Sequence, residues 1–312
     1  MTYLRTCALS LCCAALILIP AAARAQAVGP LPAVGDVTGK PLDQIPVKKL
    51  FGAQKRPSNM SARAIGSYAR GCLAGAVMMP ITGPAWQAMR LSRDRYWGHP
   101  ALIALLERLA NDAKRLDGWN GLMIGDISQP RGGPMLNGHA SHQIGLDADI
   151  WLTPMPDHEL TRAEREEIMA APVVLDHQHI NDKIWTEAHA RLIKRAASYP
   201  EVARIFVHPP IKAELCRWAT GNRSWLAKVR PYYGHDYHFH VRIKCPANSA
   251  GCKDQWTPQP KDGTGCGQEL KWWMSDAPWH PPKPPSTPPA KPPKPMTISA
   301  LPAECRAVVT AQ

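Results

Sequence analysis

His142-Gln143-Ile144-Gly145-Leu146-Asp147-Ala148-Asp149 and, about ninety residues later, Tyr237-His238-Phe239-His240-Val241-Arg242-Ile243 are the two stretches of this chain that decide its fold. In the second, apolar and polar residues alternate with the period of a half-buried strand. Tyr237, Phe239, Val241 and Ile243 are expected to face a core, with His238, His240 and Arg242 together on the opposite face. In the first, Leu146, Ala148, Ile150 and Leu152 alternate with Asp147, Asp149 and Trp151, so Asp149 also projects from a strand. Gly145 lets the chain turn between Asp149 and His142. His142, Asp149 and His240 offer two imidazoles and one carboxylate, a set that suits Zn²⁺ and leaves a fourth position for water. One carboxylate leaves the cation net positive, able to acidify that water, so the pattern points to hydrolysis. A lone strand histidine is ordinarily structural or exposed. Five in two short segments (His139, His142, His235, His238 and His240) need a shared partner.

Around these motifs the pattern predicts α+β with a largely antiparallel sheet, because helices and short strands follow without regular alternation. Pro100 to Leu116 carries Ile103, Leu106, Leu109, Ala110 and Ala113 at amphipathic helical spacing. Thr161 and Glu164 form a capping-box signature before Ile168. Ile184 through Ala197 reads as a further helix, and Arg204-Ile205-Phe206-Val207-His208 as a strand stopped by Pro209-Pro210. The metal residues span His139 to His240, so this region must close around one site, and no internal repeat is present.

The first 25 residues read as an export signal: Arg5, an apolar run from Cys7 to Ile19, then small residues, with Ala27 as a second end point. That run is too short to span a bilayer comfortably, and no later stretch is apolar enough for an integral membrane segment. Cys7, Cys12 and Cys13 fall in this segment, which leaves six of the nine cysteines. An even set in an exported chain argues for disulfides, with fifteen pairings open. Net charge is +12, and +10 without Arg5 and Arg24. That favours polyanions, yet nothing resembles a nucleic-acid module, so nucleic acid is not an expected partner. Residues 277–312 form a Pro/Lys-rich strap and tether beyond a catalytic domain at 28–276, with Cys305 placed to tie the far end back.

With Arg93-Asp94-Arg95-Tyr96-Trp97-Gly98-His99-Pro100, Gly125 to Pro134, Gly138 to Trp151 and Gly234 to Arg242 in view, the chain closely resembles the penicillin-insensitive murein endopeptidases. These are secreted zinc peptidases of Gram-negative bacteria, grouped with lysostaphin-type enzymes, D-alanyl-D-alanine metallopeptidases and the hedgehog signalling domain. The resemblance runs from about Leu50 to Trp273. It implies that His142, Asp149 and His240 hold a catalytic zinc. It also implies that His238 is a base or transition-state stabiliser with His235 beside it, and that His139, Asp176 and His179 are further metal positions. It implies the pairs Cys72–Cys305, Cys216–Cys266 and Cys245–Cys252, a periplasmic location, and peptidoglycan as substrate, cut at the D-alanyl–diaminopimelyl cross-bridge. Stem peptides of that polymer carry carboxylates, so Arg131 in the Gly-rich loop is expected to clamp one through its bidentate guanidinium. Ser141 beside His142 lacks the Ser-x-x-Lys setting of penicillin-reactive serines. Two competing expectations are a zinc D,D-carboxypeptidase using the same ligands and a metal-stabilised cell-wall binding protein without catalysis. Both non-ligand histidines, His235 and His238, argue against the second.

Overall fold

Eleven strands and seven helices form among residues 39–280 and 294–312, which are those described by a computed structural model of the chain. The expected export signal and the centre of the Pro/Lys strap lie outside the described residues. In chain order the strands are β1 (Arg63–Ser67), β2 (Arg70–Ala74), β3 (Val77–Met78), β4 (Thr82–Gly83), β5 (Trp86–Ala88), β6 (Trp97–Gly98), β7 (Leu122–Ile124), β8 (Asp147–Trp151), β9 (Val202–Val207), β10 (Val229–Pro231) and β11 (His238–Ile243). The helices are α1 (Val47–Gly52), α2 (Pro100–Leu116), α3 (Arg162–Glu167), α4 (Glu187–Ser198), α5 (Pro209–Trp218), α6 (Gln268–Trp273) and α7 (Glu304–Thr310). No described helix is long and apolar enough to cross a membrane.

Seven strands form the main sheet in the order β10-β9-β11-β8-β7-β5-β4. Only β10 with β9 and β5 with β7 are parallel, so the sheet is mostly antiparallel and the fold is α+β, as the sequence predicts. The strand that carries Asp147 and Asp149, β8, and the strand that carries His238 and His240, β11, lie next to each other near its centre. Ala148, Ile150, Phe239 and Val241 point to one face and join a core with the apolar stripes of α2 and α4. The opposite face is left for the polar residues. All of β11 is nevertheless buried, because the walls of a cleft rise around that polar face. Tyr237 departs from the expected alternation: it precedes the strand, is 39% exposed and lines the cleft instead of the core.

The helical expectations hold in outline. α2 occupies the residues predicted, with His99 Nδ1 accepting from the Ala101 N–H and Pro100 in its first turn. Thr161 and Glu164 form the capping box of α3. α4 starts at Glu187, three residues after Ile184, because Thr186 caps it and His189 takes the place of the usual Glu or Gln in the box. Pro209 and Pro210 do more than end β9: they open α5, where a missing N–H costs nothing.

A second apolar cluster joins α1, β1 and β2 to the C-terminal residues Ile298, Leu301, Cys305, Val308 and Val309. The tail beyond the strap is therefore packed into the body. Cys72–Cys305 lies in this cluster, Cys216–Cys266 ties α5 to the segment ahead of α6, and Cys245–Cys252 closes a short loop after β11. These are the three pairs that the resemblance implies. Cys72 and Cys305 are 233 residues apart, and a closed loop of that size constrains the unfolded chain by roughly 5 kcal/mol in the chain-entropy picture. Cys305→Ser is expected to lower the thermal midpoint under non-reducing conditions while leaving metal content unchanged. An unaltered melt would remove the tether from the account of stability.

Candidate metal centre

Strand register assembles the site. β8 and β11 pair with Asp149 opposite His240 and Asp147 opposite Arg242. Side chains directly opposite on one face start about 5 Å apart at Cβ, close enough to interact. His240 Nδ1 accordingly lies 3.2 Å from Asp149 Oδ1, and Arg242 Nε donates to Asp147 Oδ1 at 2.6 Å. His142 arrives from the turn ahead of β8 in a left-handed conformation (φ 68°). Its N–H donates to Asp147 Oδ2, and Ser128 Oγ donates to its carbonyl. This fixes a fully buried imidazole with Nε2 3.5 Å from Asp149 Oδ1. His139 Nδ1 lies 3.5 Å from the other oxygen, Oδ2, and His238 Nε2 lies 3.7 Å from Oδ1.

Behind three of these imidazoles stands an acceptor that holds the outward nitrogen. His142 Nδ1 donates to the Ile127 carbonyl at 2.7 Å, which leaves a lone pair on the inward Nε2. His240 Nε2 faces Asp147 Oδ1 at 2.9 Å, and His139 Nε2 faces Asp126 Oδ2 at 2.9 Å. Backing acceptors of this kind fix the tautomer and raise the basicity of metal-binding histidines. On the inner side, His142 Nε2 and Asp149 Oδ1 are buried with no hydrogen-bond partner among the described residues. Each such atom left unpaired costs about 1–3 kcal/mol, and a cation among them would relieve the inward pair. His139, His142 and Asp149 present ligand atoms that all lie within 4.8 Å of one another, so the cluster can hold a metal ion. His240 Nδ1 faces the same carboxylate.

Charge on the site is set by competition between burial and neighbours. Burial alone would raise the Asp149 carboxyl, but the imidazoles of His142, His238 and His240 outweigh it and hold the group well below the usual carboxylate range. Burial likewise opposes ionisation of Asp147, and Arg242 and His240 overcome it. Asp126 is held at about 2 by His139, Arg93 and Arg95 against the same penalty. His238 is pushed down by burial. His235 is pushed down to about 3, by burial first and then by His238 and His240. Both shifts favour the neutral ring, which keeps one nitrogen lone pair free.

The cluster forms the floor of a cleft of about 660 Å³, walled by Tyr68, Phe206, Tyr232, His235 and Arg242 on the β11 side. A smaller lobe of about 190 Å³ continues on the β7 side past Arg93 and Trp151. The two share His139, Asp149, Tyr237 and His238.

Arg131 is not in the cleft. It is buried, and its guanidinium donates to the carbonyls of Arg56, Val308 and Val309, so the expected carboxylate clamp is corrected to a structural strut. Asp176 and His179 sit on an exposed loop, bonded to each other at 2.9 Å, and line neither lobe. Asp147 and Asp126 carry no role in the sequence reading. The available signal for Asp147 was its place two residues before Asp149 on the same strand face; Asp126 had none, since its partners are remote in sequence.

Residues 64–310 match the family described as penicillin-insensitive murein endopeptidase. A Haemophilus influenzae protein of that name is 44% identical over 253 residues, covering 80% of this chain and 83% of the relative. Proteins of the same name from Klebsiella pneumoniae and Escherichia coli K12 are each 42% identical over 255 residues, covering 81% of this chain and 88% of theirs. The match takes in β8 and β11, the Gly-rich loop and the C-terminal helix. This chain belongs to the penicillin-insensitive murein endopeptidase family.

Proposed function

We infer that the protein is a periplasmic, zinc-dependent murein endopeptidase that hydrolyses the D-alanyl–diaminopimelyl cross-link of peptidoglycan. The observation that carries this reading is the unpartnered pair His142 Nε2 and Asp149 Oδ1, ringed by histidines whose outer nitrogens are held by Ile127, Asp147 and Asp126. His142, Asp149 and His240 would hold the zinc, with His139 on the Oδ2 side as a further ligand. Asp176 and His179 form an outlying pair for a second ion. Three disulfides suit an oxidising compartment.

When bound, zinc supplies Lewis acidity towards a peptide carbonyl and acidifies water. The chain's own residues manage the protons. His238, neutral and with Nε2 turned to the cluster, takes a proton from the attacking water. His235 stands 5.0 Å away, ring to ring, with Nδ1 held by the Tyr233 carbonyl. Its Nε2 is thereby a hydrogen-bond acceptor that can orient the attacking water, and the proton that His238 takes is the one that His238 returns to the leaving amine. No acyl-enzyme on serine is required, which accounts for indifference to penicillin.

The cleft runs to both sides of Asp149, and this supports an endopeptidase over a carboxypeptidase, whose substrate ends at the scissile residue. Arg93, half exposed beside the smaller lobe, suits a stem-peptide carboxylate better than the buried Arg131. Digestion of purified cross-linked and uncross-linked muropeptides, with and without chelator, tests the whole reading. Chelator-sensitive conversion of dimers to monomers is expected. Release of terminal D-alanine from uncross-linked peptide would favour the carboxypeptidase, and no digestion at all a non-catalytic binder.

His240→Ala is expected to lose metal and activity together. His238→Ala should keep the metal and lose turnover by about 10²–10⁴-fold, the usual worth of a positioned acid or base. Metal analysis of the two purified proteins decides, and the opposite pattern would reverse the two roles. Asp147→Asn takes the anionic acceptor from behind His240, so metal affinity should fall about 10–100-fold in a chelator competition. Unchanged affinity would strip Asp147 of its part in the site.

A further inference from the structure

The cleft opens at one end onto a run of aromatic rings that the hydrolytic chemistry does not use. Tyr232, which walls the cleft, is 51% exposed and lies 6.1 Å from Trp273, ring to ring. Trp273 contacts Tyr233 at 4.9 Å and Trp272 at 5.0 Å, and Tyr233 contacts Trp279 at 5.1 Å. Tyr233 and Trp272 are 40% and 50% exposed. The patch is held rigidly. Tyr233 Oη donates to the Pro278 carbonyl, and Trp279 Nε1 donates to the Trp273 carbonyl. At its base, Arg230 pairs with Glu269 of α6, just past the Cys216–Cys266 bond.

Large aromatics left exposed in a contiguous, preformed patch mark a binding surface. We propose that Tyr232, Tyr233, Trp272 and Trp273 form a platform for the glycan strand of murein, stacking on pyranose rings while a stem peptide lies in the cleft. This rests on the murein reading above and extends it from the peptide to the sugar. Pyranoses are apolar on the flat C–H faces and polar at the rim. Tyr and Trp match that character, with an apolar ring face and a polar edge. Continuity with the cleft selects this occupant, since a stem peptide is covalently joined to the glycan and Tyr232 belongs to both surfaces. A lipid surface would call for exposed aliphatic side chains, and the rings of this patch are aromatic throughout.

The test uses the full chain, Trp272→Ala and Trp272→Phe, with two substrates and one non-cleavable probe. Trp272 is chosen because, among the described residues, its ring packs against no aromatic ring but that of Trp273 and it does not line the cleft. Peptide-free murein glycan oligosaccharides, titrated against intrinsic tryptophan fluorescence, should bind the parent protein. Affinity should be about ten-fold weaker for Trp272→Ala and largely restored in Trp272→Phe. On cross-linked peptide still attached to glycan, Trp272→Ala should raise KM by a similar factor with little change in kcat. On the same cross-linked peptide stripped of sugar it should behave as the parent does. Equal loss on both substrates, or no glycan binding by the parent, would overturn the platform. If the parent binds glycan through Trp272 but cleaves neither substrate, the platform stands and the endopeptidase reading fails instead.

Discussion

The pairing of β8 with β11 is the constraint on which the site depends. Because Asp149 faces His240 and Asp147 faces Arg242, one strand pair supplies an inner carboxylate, a metal-competent imidazole and the carboxylate that orients it. A slip of one residue would send all of these to the opposite face. What forbids the slip is the other side of the same two strands, where Ala148 pairs with Val241 and Ile150 with Phe239 inside the main core. The chemistry is thus held in place by apolar packing on the face away from it. On its far side β11 pairs with β9, bringing Phe206 edge-on to His240 at 5.3 Å and fixing that ring from a third direction.

Three carboxylates, Asp126, Asp147 and Asp149, are buried in one small volume, which is costly unless each is compensated. Asp126 has Arg93 and Arg95, and Asp147 has Arg242, all permanent cations. Among the described residues Asp149 is answered by imidazoles alone, and two of those, His240 and His139, have their outer nitrogens turned to the other two carboxylates. The charge pattern is therefore complete at Asp126 and Asp147 and short of a cation at Asp149. That shortfall coincides with the unpartnered His142 Nε2 and Asp149 Oδ1. Geometry and electrostatics ask for the same thing at the same place.

The parts of the site carried by strand periodicity were legible in the sequence. Alternation around His238, His240 and Asp149 assigns both strands and their polar faces, and it fails only at Tyr237, where the strand has not yet begun. Periodicity cannot say which remote acceptor stands behind a histidine, so the pairing of His139 with Asp126 was invisible. Asp147 was visible as a residue on the right face but not as a partner, because its role follows from the register across ninety intervening positions. The helix at Glu187 began later than its apolar pattern because a cap, not a hydrophobic residue, sets a helix start. Arg131 shows the opposite error. An arginine in a Gly-rich loop beside the metal motif reads as a ligand-binding group, and nothing local reveals that the last turn of a helix nearly 180 positions away needs it.

That misplaced arginine explains why the loop around it is built as it is. The carbonyls at the end of α7 have no partners within the helix, and the Arg131 guanidinium satisfies two of them where a cation also favours the helix dipole. Reaching them requires the loop to pass tightly between neighbours. A Cβ on Gly132 would lie 2.2 Å from the Gln143 carbonyl oxygen, and one on Gly133 would lie 2.2 Å from the Phe51 ring. Both glycines also have positive φ, which L side chains adopt at a cost. The Gly133 N–H then donates to the Gln143 carbonyl, one residue past His142, and the Leu73 N–H donates to the Arg131 carbonyl, one residue past Cys72. The C-terminal helix is therefore fastened twice to the same spot, covalently through Cys305 to Cys72 and by hydrogen bonds through Arg131. From there the Gly-rich loop braces the His142 turn from behind. The tail that composition marks as a spacer ends as part of the scaffold that keeps Nε2 of His142 aimed at Asp149.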